Sequence, residues 1–475
     1  MDGMTKLPLT AGRLGMAGRL SAAGRLGTAA RLSAADKINL AVEAPDTPMH
    51  VGAILTVDGA SFCEADGSLR LDDVRAQILG RLARVPAMRR RLAGRGRSTA
   101  RARWVDDVDF RIDRHVRAAS VAAPGDEAAL RSLAEELLAP RLDRSHPLWR
   151  LWLVTGLTGG RIGVVIAIHH AMADGSGAIR LLRDLFGADD GQPTAGAATA
   201  ADHIGSSSRV DRRSARAPAG RASIGWFHPT RAAASLLVAW HAIAHATDAP
   251  RTSLTGPIGP RRRLAVVRLD LATAIAIARA TGATVNDVVL DVVAGGLRAL
   301  LTSRSEPVEG VQLHVAVPVA TAASTPTVAG NNAGMMVVRL PLGDGDPRPR
   351  LAAIHAETAA AKRGQPATAG TRFLVWLARS GLMRQVTRHQ HLTNTVVSNV
   401  IGPRSPIAFL GTPIVDLIPV GPLAGNLAST FLAFSYAGAL TVTVHVDADR
   451  FGDLDILTDA MSSEWRRLAS DVTVD

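Results

Sequence analysis

Two adjacent histidines offer the clearest chemistry in this sequence. His169 and His170 end the apolar run "VVIAI", and Asp174 and Gly175 follow within five residues. A neutral imidazole titrates close to neutrality and accepts a proton from a hydroxyl or an amine, which is the task of a general base. Histidines at a strand end also serve as structural caps or as metal ligands. Apart from Asp174, no further ligand stands at a matching spacing, so we predict that no metal binds here.

The predicted strand places the two histidines on opposite faces. Side chains alternate along a strand, so His170 shares a face with Val164 and the two isoleucines, and His169 points the other way. The segment "GSGAIRLLRDLF" that follows has apolar residues at helical spacing. Asp174 is placed to cap this helix, and Gly175 permits a turn that a side chain would obstruct. We therefore expect the two histidines to have different roles.

A second polar group opens a predicted helix in the other half of the chain. Thr284 and Asp287 have the spacing of a capping box, and an apolar helical stripe follows them. Capping is therefore the favoured role for Asp287. Asn286 is an amide in the first turn of this helix, where it either packs or helps to hold a developing oxyanion. Further along, Ser398 and Asn399 in "SNVIGP" either contact a substrate or form a turn.

The composition is that of a large globular protein with a basic surface. We expect two large domains from 475 residues, and the 47% apolar and 20% charged residues are typical of folded proteins. Cys63 is the only cysteine, so an internal disulfide is excluded. The net charge of +12 favours partners that carry phosphate or carboxylate groups. The arginine-rich run at 88–103 lacks interleaved aromatic residues, so we predict a solvated face and no nucleic-acid partner.

Four segments divide the chain. Residues 1–31 repeat Arg-Leu pairs with a period of six, so an unstructured extension is favoured over a membrane-binding or transit segment. Residues 32–186 and 251–475 mix strands and helices without βαβ regularity, which predicts two α/β sandwich-like domains. Residues 187–250 are predicted to form a flexible linker with an amphipathic helix at 232–246. No apolar run of 18 residues occurs, so we expect no membrane-spanning segment.

Local patterns predict several individual elements. The stretch "HVGAILTVDG" at 50–59 reads as a strand followed by a turn. Residues 71–92 are predicted to be a helix that Pro86 interrupts. A final helix is predicted over 455–468.

The histidine motif resembles that of a known acyltransferase superfamily. Residues 169–175, "HHAMADG", match the HHxxxDG signature of chloramphenicol acetyltransferase and of peptide-synthetase condensation domains. Other stretches look specifically like the bacterial wax ester synthase/diacylglycerol acyltransferases: "DTPMHVG" at 46–52, "PLW" at 147–149, "TVNDVVL" at 284–290, "SNVIGP" at 398–403 and "PVGP" at 419–422. The chain departs from that family after "VPV" at 317–319, where "ATAAS" lacks the expected arginine, and at Asn332.

The resemblance implies a fold and roles for the site residues. The fold is α/β, with two chloramphenicol acetyltransferase-like sandwich domains joined by a long crossover and an active-site tunnel at their interface. By this resemblance His170 is the catalytic base, His169 supports it, and Asp174 with Gly175 organises the loop. The Asn-Asp pair of "TVND" would line the same tunnel from the second domain.

The resemblance also implies a reaction. A long-chain acyl group would pass from acyl-CoA to diacylglycerol, giving triacylglycerol, with wax esters from long-chain alcohols as a secondary product. Acyl-CoA is then a co-substrate, and no bound cofactor is expected. Because the acceptors are membrane lipids, we expect a cytoplasmic protein in peripheral contact with an anionic membrane surface or a lipid droplet. Two alternatives are a same-fold acyltransferase with a carrier-protein donor or another acceptor, and a non-catalytic lipid-binding protein.

Overall fold

Within the described part of the chain, two six-stranded sheets and one three-stranded sheet carry the fold. The structure is a computed structural model, and it describes residues 30–94, 102–173, 175–187, 249–320, 333–363 and 377–470. The strands are β1 (Ala30–Arg31), β2 (His50–Asp58), β3 (Arg90–Ala93), β4 (Arg103–Asp106), β5 (Val116–Ser120), β6 (Trp149–Thr155), β7 (Arg161–His169), β8 (Arg262–Asp270), β9 (Gln312–Ala320), β10 (Ala333–Pro341), β11 (Thr395–Ile401), β12 (Ala408–Phe409), β13 (Thr412–Val420), β14 (Ser429–Tyr436) and β15 (Ala439–Asp447). The helices are α1 (Ala34–Val42), α2 (Leu71–Arg81), α3 (Glu127–Leu138), α4 (Gly175–Phe186), α5 (Leu271–Thr281), α6 (Val285–Ser303), α7 (Pro347–Arg363), α8 (Met383–Arg388) and α9 (Leu454–Ala469).

The first large sheet, called here the N-terminal sheet, has the strand order β12-β13-β2-β7-β6-β5. Its strand β7 is apolar on both faces. Val164 and Ile166 lie in one buried cluster, and Val165 and Ala167 lie in another. An unbroken apolar run is what a strand covered on both faces requires. The prediction of a buried strand before the histidines is therefore confirmed, although β7 ends at His169, one residue earlier than predicted.

The second large sheet, called here the C-terminal sheet, has the order β10-β9-β11-β14-β15-β8. Helix α6 lies at the centre of its core, and the capping box between Thr284 and Asp287 forms as the sequence predicts. Helix α9 packs against α6. Their close approach requires Gly296, because a Cβ atom at that position would lie 2.4 Å from Cγ of Met461.

Two strands from the second half of the chain complete the N-terminal sheet. β13 pairs antiparallel with β2, with Val420 opposite Gly52, and β12 pairs with β13. The halves also meet at α3, where Glu135 accepts a hydrogen bond from the Leu264 N–H at 2.6 Å. A division at residue 251 therefore does not separate the two sheets. Pairing between strands so distant in sequence leaves no local pattern that could predict it.

The segment predicted as one helix over 71–92 has three parts. α2 ends at Arg81, a 3-10 turn follows at Pro86–Arg89, and β3 comes next. The helix prediction is wrong beyond Arg81 because Pro86 has no N–H to donate and the residues after it pair with β4. Met88 is buried. The prediction of a solvated face is therefore wrong at that residue.

Other predictions have mixed outcomes. The strand predicted at 50–59 is β2, and the final helix predicted over 455–468 is α9, so both are confirmed. Strand β1 begins the described chain slightly before the predicted boundary at 32. Most of the predicted extension and the amphipathic helix at 232–246 lie outside the described residues. Among the described segments, no helix is long and apolar enough to cross a bilayer.

Candidate active site

The two predicted histidines lie at the end of β7 and differ in burial. His169 is fully buried, and its N–H donates to the carbonyl of Leu148 at 2.9 Å. His170 is half-buried in the turn that follows, and its N–H donates to the carbonyl of Met49 at 2.7 Å. These two hydrogen bonds, one from each histidine, fix the backbone that carries the two imidazoles. The two rings lie in different surroundings, but His170 lies in the turn beyond β7, so strand alternation does not account for this difference.

His169 faces a carboxylate. Its Nδ1 accepts a hydrogen bond from the Ala171 N–H at 2.9 Å, so the proton of the neutral ring is on Nε2. Nε2 lies 3.3 Å from Oε1 of Glu43. The ring is not aligned for a hydrogen bond to this oxygen, so the contact is electrostatic. Both ring nitrogens of His169 are therefore directed at protein groups.

Glu43 is a buried acid that the sequence prediction missed. Its side chain is 1% exposed, and Oε2 lies 2.7 Å from an Nη2 of Arg144 that donates to it. Burial alone would raise the pKa of this carboxyl, but His169 and Arg144 together outweigh burial and lower the pKa to about 2. An ionised carboxylate therefore lies beneath the histidines. An acidic residue directly after the apolar "LAV" is the sequence signal that could identify it.

Helix α1 carries a second residue to the site. Asn39 lies one helical turn before Glu43, and its Nδ2 lies 3.2 Å from both Nδ1 and the carbonyl oxygen of His170. A capping box between Ser33 and Asp36 begins this helix. α1 therefore contacts His170 through Asn39, and Glu43, the residue directly after α1, lies beside His169. The sequence prediction missed Asn39, because 131 positions separate it from His170 and no local pattern relates the two.

Asp287 is fully buried, and its carboxylate completes the cap of α6. The Thr284 N–H donates to Oδ2 at 2.9 Å, Nδ1 of His355 lies 2.9 Å from Oδ2, and the Thr358 hydroxyl donates to Oδ1 at 2.8 Å. The predicted capping role is confirmed, and the carboxylate also ties α6 to α7. Asn286, the residue before it, is half-buried in the first turn of α6.

Ser398 and Asn399 are half-buried within β11, so the alternative that they form a turn is wrong. β11 packs against α4, the helix that begins at Gly175 directly after the histidines. Val400 of β11 packs on the apolar cluster of the N-terminal sheet. The structure thus brings the strand of the Ser-Asn pair close to the helix of the histidine motif. Asp174 lies outside the described residues.

A small cavity lies where the two large sheets meet. It measures about 20 Å³, which is room for one water molecule, and His50 and His445 are among its lining residues. Burial lowers the pKa of each of these imidazoles to about 4. His445 donates from Nδ1 to the carbonyl of Gly421 at 2.5 Å. Among the described residues, no three histidine, cysteine, aspartate or glutamate side chains are grouped to hold a metal ion.

The two-domain α/β fold is that of the chloramphenicol acetyltransferase-like acyltransferases. The wax ester synthase/diacylglycerol acyltransferase from Marinobacter aquaeolei VT8 shares it with a TM-score of 0.67 and 22% identity, covering 93% of this chain and 99% of that chain. The first condensation domain of the CDA synthetase shares it with a TM-score of 0.57 and 15% identity, covering 95% and 98% of the two chains. The predicted fold class is therefore confirmed.

Comparison of the sequence with protein-family models identifies the family within this class of acyltransferases. Residues 32–289 match the model described as "Wax ester synthase/diacylglycerol acyltransferase catalytic domain", and residues 329–469 match the "WS/DGAT C-terminal domain". The chain therefore belongs to the wax ester synthase/diacylglycerol acyltransferase family. Similar proteins include the probable diacyglycerol O-acyltransferase tgs1 of Mycobacterium tuberculosis strain H37Rv, 29% identical over 386 residues, which cover 78% of this chain and 81% of that protein. The putative diacyglycerol O-acyltransferase Rv1760 of the same strain is 28% identical over 451 residues, with 90% and 88% covered.

Proposed function

We propose that this protein transfers a long-chain acyl group from acyl-CoA to the hydroxyl of diacylglycerol, and secondarily to long-chain alcohols. The observation that carries the proposal is the half-buried imidazole of His170, held in place at the end of β7 beside the fully buried His169. Family membership and the names of the relatives support diacylglycerol as the acceptor.

His170 is the general base of the proposed reaction. Its ring takes the proton of the acceptor hydroxyl as the oxygen attacks the thioester carbonyl, and returns that proton to the sulfur of the departing coenzyme A. His169 is unsuited to this role because its ring is fully buried, with Nδ1 bonded to the Ala171 N–H and Nε2 facing Glu43. This difference in burial and bonding supports the choice of His170.

The oxyanion that forms in this reaction requires hydrogen-bond donors. Asn286 in the first turn of α6 carries an amide close to backbone N–H groups at the positive end of a helix, so we assign it this role. Ser398 and Asn399 on β11 are proposed to contact substrate. Asp174 and Gly175 would shape the turn after the histidines.

A covalent acyl-enzyme is not part of the proposed mechanism. Cys63 is the only cysteine in the chain, and burial raises the pKa of its thiol. A raised pKa leaves less thiolate, the form that attacks a thioester. Direct transfer from acyl-CoA to the acceptor hydroxyl is therefore the simpler route, and it needs acyl-CoA as co-substrate without a bound cofactor.

The acceptors of this reaction are lipids, so the protein must reach a lipid surface. We propose peripheral contact with an anionic membrane or a lipid droplet on the cytoplasmic side, which the net charge of +12 favours. Binding to anionic liposomes should then weaken steeply as salt is added. An affinity for liposomes that does not change with salt concentration would contradict an electrostatic contact.

Acyl transfer with purified protein tests the function. Radiolabelled palmitoyl-CoA is supplied with diacylglycerol or with hexadecanol, and the products are separated by chromatography. His170→Ala should lose about a hundredfold to ten-thousandfold in rate. His146→Ala is the matched control, since His146 lies on the surface beside Arg114 and should keep the wild-type rate.

Three outcomes would overturn parts of the proposal. Wild-type transfer by His170→Ala would exclude this residue as the base. Transfer only from an acyl carrier protein would favour a donor of the kind that condensation-type enzymes use, whose fold this chain shares. Lipid binding without any transfer would favour a non-catalytic lipid-binding protein.

A further inference from the structure

We propose that Asn39 is a positioning residue for His170 and that its amide decides which ring nitrogen of His170 carries the proton. Nδ2 of Asn39 lies 3.2 Å from Nδ1 of the ring and 3.2 Å from the carbonyl oxygen of the same residue. One side chain therefore holds the imidazole and its backbone together. The catalytic consequence rests on the proposed function of His170 as the base.

The carbonyl contact fixes the orientation of the Asn39 amide. A carbonyl oxygen only accepts hydrogen bonds, so the amide group that faces it must be the NH2 group. The second N–H of this group is then aimed at Nδ1 of His170, which must accept it with a lone pair. The neutral ring therefore holds its proton on Nε2 in the resting state. Asn39 thus selects one of the two tautomers.

This tautomer has a direct consequence for proton transfer. A ring nitrogen that already carries a proton cannot accept another, so Nε2 becomes a base only when the ring proton moves to Nδ1. Rotation of the Asn39 amide by half a turn would present Oδ1 to that new N–H and would give up the hydrogen bond to the His170 carbonyl. Nε2 could then take the hydroxyl proton, giving an imidazolium, and later return it to the leaving sulfur. An amide can serve both states because it is both a donor and an acceptor.

Helix α1 is well suited to hold such a residue. The capping box of Ser33 and Asp36 fixes its first turn, and the Trp104 side chain donates to Asp36 at 3.3 Å. Glu43 follows Asn39 by one turn and is bound by Arg144, which also donates to a carbonyl of α1. Asn39 therefore lies between two anchored points. A rigid support is what precise orientation of a base requires.

Nitrogen-15 NMR of protein with labelled histidine tests the tautomer without any assay of activity. The signals of His170 are assigned by their loss in His170→Gln. In the wild type near pH 8, we expect a protonated Nε2 and an unprotonated Nδ1. In Asn39→Asp the carboxylate can only accept, so the proton should move to Nδ1. The same tautomer in both proteins would overturn the inference.

Kinetics test the consequence for the base. Asn39→Leu should lower kcat at least about tenfold, because a misplaced catalytic group is costly, while KM for acyl-CoA stays within about twofold. In Asn39→Asp the nearby carboxylate favours the imidazolium, so the acidic limb of the kcat/KM profile should move to higher pH by about one unit. Lys37→Gln, on the same helix, is the control and should change neither kcat nor the pH profile.

The outcomes separate this inference from the proposed function. A wild type that is inactive with every donor and acceptor, or an active His170→Ala, overturns the function, and the NMR result still decides the tautomer. The positioning role alone is overturned if the Asn39 variants keep the wild-type kcat and pH profile. In that case the wild type is active and His170→Ala is inactive, so the proposed function stands. If Asn39→Leu fails to fold, the profile of the nearly isosteric Asn39→Asp decides that role.

Discussion

Replacement of Glu43 by glutamine removes the negative charge beneath the histidines and keeps the shape of the side chain. The carboxylate is buried, Arg144 balances its charge, and Nε2 of His169 lies 3.3 Å from it. Removal of one partner from such a buried group leaves the remaining charges without compensation. We therefore expect Glu43→Gln to destabilise the fold.

The magnitude follows from the pKa of the Glu43 carboxyl, which falls from 4.5 to about 2. At about 1.4 kcal/mol for each pKa unit, the fold stabilises the ionised carboxyl over the neutral one by about 3 kcal/mol. Glutamine resembles the neutral carboxyl, so the free energy of unfolding should fall by about 3 kcal/mol near pH 7. Because the folded pKa is the lower one, this stabilisation is complete above about pH 4.5 and is lost as the pH falls towards 2.

Urea titrations followed by tryptophan fluorescence measure this difference in the free energy of unfolding. The loss should be the same near pH 7 and near pH 5, and about 1 kcal/mol smaller near pH 4. Glu64→Gln is the matched control: Glu64 is 57% exposed beside Arg70, so its loss should stay below about 1 kcal/mol. If Glu43→Gln lost no more than this control, the reasoning from a buried charge would be refuted.

Three further predictions concern stability. Burial lowers the pKa of His445 to about 4, so protonation of this ring destabilises the fold as the pH falls from 6.5 towards 4. We therefore compare the free energy of unfolding, measured by urea titration, at pH 7.5 and at pH 5.5. Between these two pH values the wild type should lose about 1 kcal/mol more than His445→Gln. Equal losses would contradict this. Gly52→Ala places a methyl group 2.2 Å from a backbone oxygen of β7, so thermal unfolding should show a stability lower by about 2 kcal/mol. The control Gly80→Ala places its methyl group in open space on α2 and should not destabilise the protein. An unchanged melting temperature in Gly52→Ala would show that the strands can separate without cost. Asp287→Ala should lower the free energy of unfolding in urea by about 3 kcal/mol, because it removes a helix cap and leaves buried partners without a hydrogen bond. The control Asp270→Ala removes an exposed cap and should cost about 1 kcal/mol. Similar losses in the two variants would argue against a structural role of the contacts between Asp287 and α7.

Sequence patterns predicted the parts of the site that depend on neighbouring residues. The apolar run before His169 indicated a buried strand, and the structure has β7 there. The spacing of Thr284 and Asp287 indicated a capping box, and both of its hydrogen bonds form. The prediction was wrong beyond Arg81, where helical composition continued but Pro86 and pairing with β4 ended the helix. Predictions from neighbouring residues were correct where the segment forms no competing hydrogen bonds with a strand distant in sequence.

The sequence by itself determined the family, the buried strand and the pair of histidines, because motifs and periodicity are properties of contiguous residues. Only the tertiary structure decided what surrounds that pair. Packing of α1 against the end of β7 brings Asn39 and Glu43 to histidines more than a hundred residues away, and β13 crosses from the second half to pair with β2. These contacts depend on burial and charge pairing among distant segments. The difference between the two imidazoles therefore has its physical cause in the assembled fold.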